Sequence, residues 1–192
     1  MEKLHSLFKE RVTRENQIIL AHHMLRMGFI NTIVKLETNT PDGKISAQRA
    51  ALESQGAIKP VKGRGLRNPS SIVRPRRDFR YISNIMLLYM RIHPGSALES
   101  VNVPSVFEAY QTGLITFLEN NAHAATEDFI TINDIYSLAK SFREGECYLQ
   151  QCPDCYSVSL IVLNLDTHER CAFCKSRDVQ FGTIVYGHGS GA

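Results

Sequence analysis

The chain has 192 residues, 43% of them hydrophobic and 21% charged, with a formal net charge of +3. That length suits one domain with an appendage or two small domains, and the apolar share suffices for a packed core. No apolar stretch approaches the roughly 20 residues of a membrane span, and residues 1–30 carry charges where a secretory signal needs an apolar core, so a cytoplasmic protein without membrane contact is expected.

Leu4, Leu7, Phe8 and Val12, then Ile19, Leu20, Met24 and Met27, recur near helical spacing and predict a helix over 3–27. Gly28 marks its end. The adjacent His22 and His23 point to different sides of such a helix, which speaks against a metal pair. A short helix follows to Thr38, with Phe29, Ile30, Ile33 and Val34 inward. Thr40-Pro-Asp-Gly43 has turn chemistry: proline fixes φ, aspartate bonds ahead to the backbone and glycine tolerates positive φ. Lys44 to Ser54 is the next predicted helix. Two short helices across a tight turn fit a helix-turn-helix, and equally an ordinary hairpin with solvated polar faces. On the first reading the second helix enters the major groove N-terminal end first, offering Lys44, Ser46, Gln48 and Arg49 to phosphates and base edges.

Charge is segregated in the next segment. Lys59, Lys62, Arg64, Arg67, Arg74, Arg76, Arg77 and Arg80 stand against one acid, Asp78, while the rest of the chain is net acidic. Such a block is an electrostatic footprint for a polyanion. Pro60, Gly63, Gly65, Pro69 and Pro75 make a helix through it improbable and favour an extended arm on a phosphate backbone, or else a solvated loop. Contacts to DNA are expected from Lys59, Lys62, Arg64, Arg67, Arg74, Arg76 and Arg77.

Phe79 to His93 has a broad apolar face and predicts a helix packed in a core or against another chain. Another is expected from near Pro104 to about Asn120, and a third opening at Thr131 with Asp134 as a capping-box partner and Gly145 as its stop. From Glu146 the periodicity changes, and β-prone runs cover 156–163 and 178–186. Residues 187–192 read as a flexible tail. The expected fold is mainly α: a helical body over 1–145 with a helix-turn-helix-like hairpin, then a small zinc ribbon over 146–186.

The ribbon rests on Cys152-Pro-Asp-Cys155 and Cys171-Ala-Phe-Cys174. Each C-x2-C turn presents two sulfurs on one side, and two facing turns complete a thiolate tetrahedron. Cys152, Cys155, Cys171 and Cys174 are therefore the expected ligands of one structural Zn²⁺. Disulfides are the weaker alternative, since nothing places the chain in an oxidising compartment. Cys147, the fifth cysteine, reads as a small apolar residue leading into the ribbon. A zinc deaminase or hydrolase is disfavoured. None of the seven histidines lies in an H-x-E element, and four thiolates leave no open position for water. No enzymatic activity is expected.

With these residues in view, the chain resembles the FlhC family, the zinc-containing subunit of the FlhD–FlhC flagellar transcriptional activator. The likeness is closest around Leu138, Phe142, Gly145, Leu149 and the four cysteines. Upstream it extends to Leu20-Ala21, Gly28, Glu37-Thr38, Gly43, Leu52, the Lys59–Gly63 stretch and Asn68–Ser71. The resemblance implies an activator that binds promoter DNA in a hetero-oligomer with a FlhD-like partner and touches RNA polymerase. Relatives of FlhC also activate conjugative-transfer genes, so both regulons are open. The alternative is a zinc-ribbon nucleic-acid-binding or scaffold protein without promoter specificity.

Overall fold

Three helices of the first part of the chain end or turn where the backbone demands a special residue. In the computed structural model, which describes residues 14–60, 65–73, 79–93, 99–121, 129–163, 171–174 and 182–187, these are α1 (Arg14–Arg26), α2 (Asn31–Thr38) and α3 (Asp42–Ser54). They are followed by α4 (Pro69–Val73), α5 (Phe79–Ile92), α6 (Val103–Asn120) and α7 (Ile132–Arg143), then strands β1 (Cys147–Gln151), β2 (Val158–Val162) and β3 (Thr183–Tyr186). The described residues are thus mainly helical with one small sheet. Contacts divide the chain into two compact units, one ending at Leu66 and the other beginning at Arg67.

In the first unit, α1, α2 and α3 pack on one another pairwise. Leu20, Ala21, Met24 and Leu25 of α1 close on Phe29, Ile30, Ile33 and Val34, and on Ile45 and Leu52 of α3, all buried. Gly28 stops α1 at φ 93, where its own N–H reaches the Leu25 carbonyl and the next N–H reaches Met24. This pairing satisfies carbonyls that a helix end would otherwise orphan. Residues 3–13 of the expected first helix lie outside the described residues.

The turn between α2 and α3 differs from the sequence expectation. The left-handed residue is Asn39, at φ 53, and the connection is Asn39-Thr40-Pro41. Asp42 and Gly43 are already helical. The reason is electrostatic as well as steric. Asparagine tolerates the left-handed region better than most residues. Asp42 in a first turn meets the positive end of the helix dipole and pairs with Lys35. Two buried threonines lock the corner: the Thr38 hydroxyl donates to the Val34 carbonyl at 2.7 Å, and the Thr40 N–H to Thr38 Oγ1 at 3.2 Å.

The second unit is built on α5, α6 and α7. Ile82, Ile85, Met86, Tyr89 and Met90 of α5 face Val106, Ala109 and Phe117 of α6, and Ile135, Leu138, Ala139 and Phe142 of α7, in one core. Full burial of each such side chain contributes about 1.5–3 kcal/mol. Gly113 of α6 sits directly against Ile85, and a Cβ there would overlap the Ile85 side chain. Phe129 stacks on Phe117 with ring centroids 4.6 Å apart. The capping box at Thr131 and Asp134 is present in both directions, and Gly145 at φ 76 stops α7 in the manner of Gly28.

Two further expectations are corrected. The cationic segment is not extended throughout, because Pro69–Val73 forms a helical turn with Pro69, Ile72 and Val73 buried. Proline is well placed there, since a first-turn N–H has no intrahelical partner to lose. The sheet also contains a strand that β-propensity did not single out. β1 is its centre, in the order β2-β1-β3, antiparallel on both sides, with Leu149 opposite Leu160. Strand β2 packs against α5 within the second unit. Among the described residues, no helix is long and apolar enough to cross a membrane.

Candidate metal centre

The first cysteine knuckle is the turn that joins β1 to β2. Pairing of Gln151 with Val158 brings the strand ends together. The Cys152 N–H then donates to the Ser157 carbonyl at 2.9 Å, and the Tyr156 N–H returns to the Cys152 carbonyl at 3.0 Å. Closing so tight a turn puts Tyr156 at φ 60, a left-handed conformation unfavourable for a residue with a Cβ. In the second knuckle the Phe173 N–H points at Cys171 Sγ, 3.4 Å away.

These two turns meet sulfur to sulfur. Cys152 Sγ lies 3.7 Å from Cys174 Sγ, and Cys155 Sγ 3.6 Å from Cys171 Sγ. All four ligand atoms fall within 4.8 Å of one another. A disulfide would require about 2.05 Å. Sulfurs at roughly 2.3 Å from a tetrahedral cation stand about 3.8 Å from one another. The cluster therefore has metal-site spacing, and its soft donors suit zinc or iron rather than magnesium or calcium.

Each knuckle contributes one buried thiol, Cys152 and Cys171, and one more open to solvent, Cys155 and Cys174. The Ser157 backbone N–H and hydroxyl draw the Cys155 thiol down to about 6. Burial pushes Cys152 up, against the opposing pull of the N–H groups of Cys155 and Asp154. A metal ion entering the cluster would take thiolates and release their protons.

Residues outside the knuckles hold them in place. Arg80, at the start of α5, donates from Nε to the Ala172 carbonyl at 2.8 Å and from Nη2 to the Phe173 carbonyl at 3.2 Å. Ser83, one turn further, accepts from the Leu160 N–H of β2 at 3.0 Å. Sequence spacing gave no sign of either contact, since both partners lie far along the chain. Cys147 is buried in β1 with Sγ directed at the Leu138 carbonyl, 3.7 Å away, and burial, with Glu146 adding to it, pushes its thiol up to about 12. It takes no part in the cluster.

The residues expected to contact DNA fall into three groups. Lys44, Ser46 and Lys59 are exposed, and Ser46 Oγ accepts from Asn31 Nδ2 at 3.4 Å. Gln48, Arg49 and Arg67 are engaged within the chain. Gln48 Nε2 reaches the Ile18 carbonyl at 3.4 Å, and Arg49 Nε reaches Asn31 Oδ1 at 2.6 Å while Nη2 donates to the Phe29 carbonyl. Arg67 pairs with Asp134 at 3.3 Å and donates to the Ser71 carbonyl at 2.9 Å. Lys62, Arg64, Arg74, Arg76 and Arg77 lie outside the described residues. No family model matches this chain, and no curated protein matches it significantly.

Proposed function

We propose that this chain is a DNA-binding transcriptional activator subunit of FlhC type, acting with a FlhD-like partner at flagellar or conjugative-transfer promoters. The observation that carries this reading is the packed trio α1, α2 and α3, with a three-residue corner between the last two. In a helix-turn-helix of that form, the N-terminal part of α3 presents Lys44 and Ser46 to the major groove. The cationic segment supplies affinity through phosphates, and contact with RNA polymerase in the cytoplasm supplies activation. Cys152, Cys155, Cys171 and Cys174 hold one structural Zn²⁺, which crosslinks the two knuckles when bound. Four thiolates fill that shell, so the centre is a fixture and not a catalyst.

Co-expression with the partner encoded beside this gene, followed by promoter footprinting, tests the proposal. Protection of a defined site is expected, with loss in Cys152→Ser, in Cys171→Ser and after metal removal. Full promoter activation by metal-free protein would sink it.

One observation favours the alternative, a zinc-ribbon nucleic-acid-binding or scaffold protein without promoter specificity. With Gln48 and Arg49 turned to partners inside their unit, the exposed residues of α3 beyond Lys44 are all short: Ser46, Ala47, Ala50, Ala51 and Ser54. Such short side chains read few base edges. Salt-sensitive binding that does not distinguish DNA sequences would mark this second reading.

A further inference from the structure

We infer that Arg80 is a positioning residue of the metal centre rather than a member of the polyanion-binding set. This rests on the reading of the four cysteines as a metal site.

Arg80 closes the cationic segment in sequence, and by charge alone it belongs with its neighbours. Its guanidinium nevertheless donates to two consecutive carbonyls of the second knuckle, Ala172 and Phe173, which lie between the ligands Cys171 and Cys174. A planar guanidinium fork fits two adjacent acceptors, which an ammonium cannot span with the same geometry. Ser83 stands three residues on, and so on the same face of α5. Its hydroxyl accepts from Leu160 in β2, the strand that follows the first knuckle. One helical face thus grips both halves of the cysteine cluster, Ser83 from the first-knuckle side and Arg80 from the second.

The chemistry gives this grip a role in metal affinity. Four thiolates around a divalent cation leave a net dianion, and Arg80 brings a permanent positive charge beside it. The second knuckle is tied by sulfur contacts to the first knuckle and to Ser159, and by the Arg80 fork. Holding Cys171 and Cys174 in place before the metal arrives reduces the ordering cost of binding. Residues that orient metal ligands in this way typically carry 10–100-fold in affinity.

The test uses the full chain, freed of metal under reducing conditions and titrated with Co²⁺ against a chelator. The thiolate-to-cobalt absorption band serves as the readout. Arg80→Met is expected to bind Co²⁺ about tenfold more weakly than the parent. Its helical circular dichroism and metal-free melting midpoint should stay unchanged, and Arg80→Lys should recover part of the loss by restoring charge without the fork. A role confined to general stability would shift the metal-free midpoint and leave affinity alone. Affinity of Arg80→Met within twofold of the parent would overturn the inference. Should Arg80→Met fail to fold, Arg80→Lys takes its place, and parental affinity there would overturn it equally. A parent protein that shows no cobalt band would instead remove the metal site itself, and this inference with it.

Discussion

The Leu160 amide of β2 and the Ser83 hydroxyl of α5 meet at 3.0 Å across 77 residues of sequence, both fully buried. β2 is an outer strand of the sheet, so this amide points away from β1 and would otherwise face a helix with nothing to accept it. A buried N–H without a partner costs about 1–3 kcal/mol. Ser83→Ala is therefore expected to destabilise the protein by about that amount, read as a lowered midpoint in urea. Ser83→Thr keeps the oxygen and should lose less. Equal stability of Ser83→Ala and the parent would show that the amide finds another acceptor.

Gly113 of α6 lies directly against the Ile85 side chain of α5. There is no room for a methyl group, and its nearest neighbours would be the Cγ1 and Cδ1 atoms of Ile85. Gly113→Ala normally gains helix propensity. Here overpacking should dominate, for a net loss of about 1–3 kcal/mol. Adding Ile85→Val removes Cδ1 and should recover part of that loss, giving a coupling in the double-mutant cycle. A stabilised Gly113→Ala protein would contradict the close approach.

Cys147 supplies a pH prediction. Its thiol is held up near 12 by burial and, secondarily, by Glu146, against about 8.5 in an unfolded chain. The unfolded state therefore ionises first as pH rises. The stabilisation is complete below about pH 8.5 and is lost between there and about 12. Cys147→Val should flatten the alkaline fall of the melting midpoint without changing its value at pH 7 by more than a few degrees. Native Cys147 should also resist thiol reagents at pH 8 while the unfolded chain reacts at once. Prompt modification in the native protein would place the thiol at the surface.

Much of this protein was legible from local chemistry. The two C-x2-C turns, the stops at Gly28 and Gly145, the capping box at Thr131 and Asp134 and the apolar faces of α5 and α7 all depend on residues within a few positions of one another. Spacing of that kind survives in a linear string. It predicts elements well because the forces that make them act over one or two turns of chain.

What the string could not reveal was allocation among competing uses. Arg49, Arg67 and Arg80 share one chemistry, yet Arg49 braces α2, Arg67 pairs with Asp134 and Arg80 holds the second knuckle. Cys147 shares its donor atom with four clustered thiols but is directed at Leu138 instead. A charge block in sequence marks where cations are, while the partner of each depends on which carbonyl or carboxylate the fold carries to it. Those partners come from distant segments, and only packing of the helices and strands brings them within bonding distance.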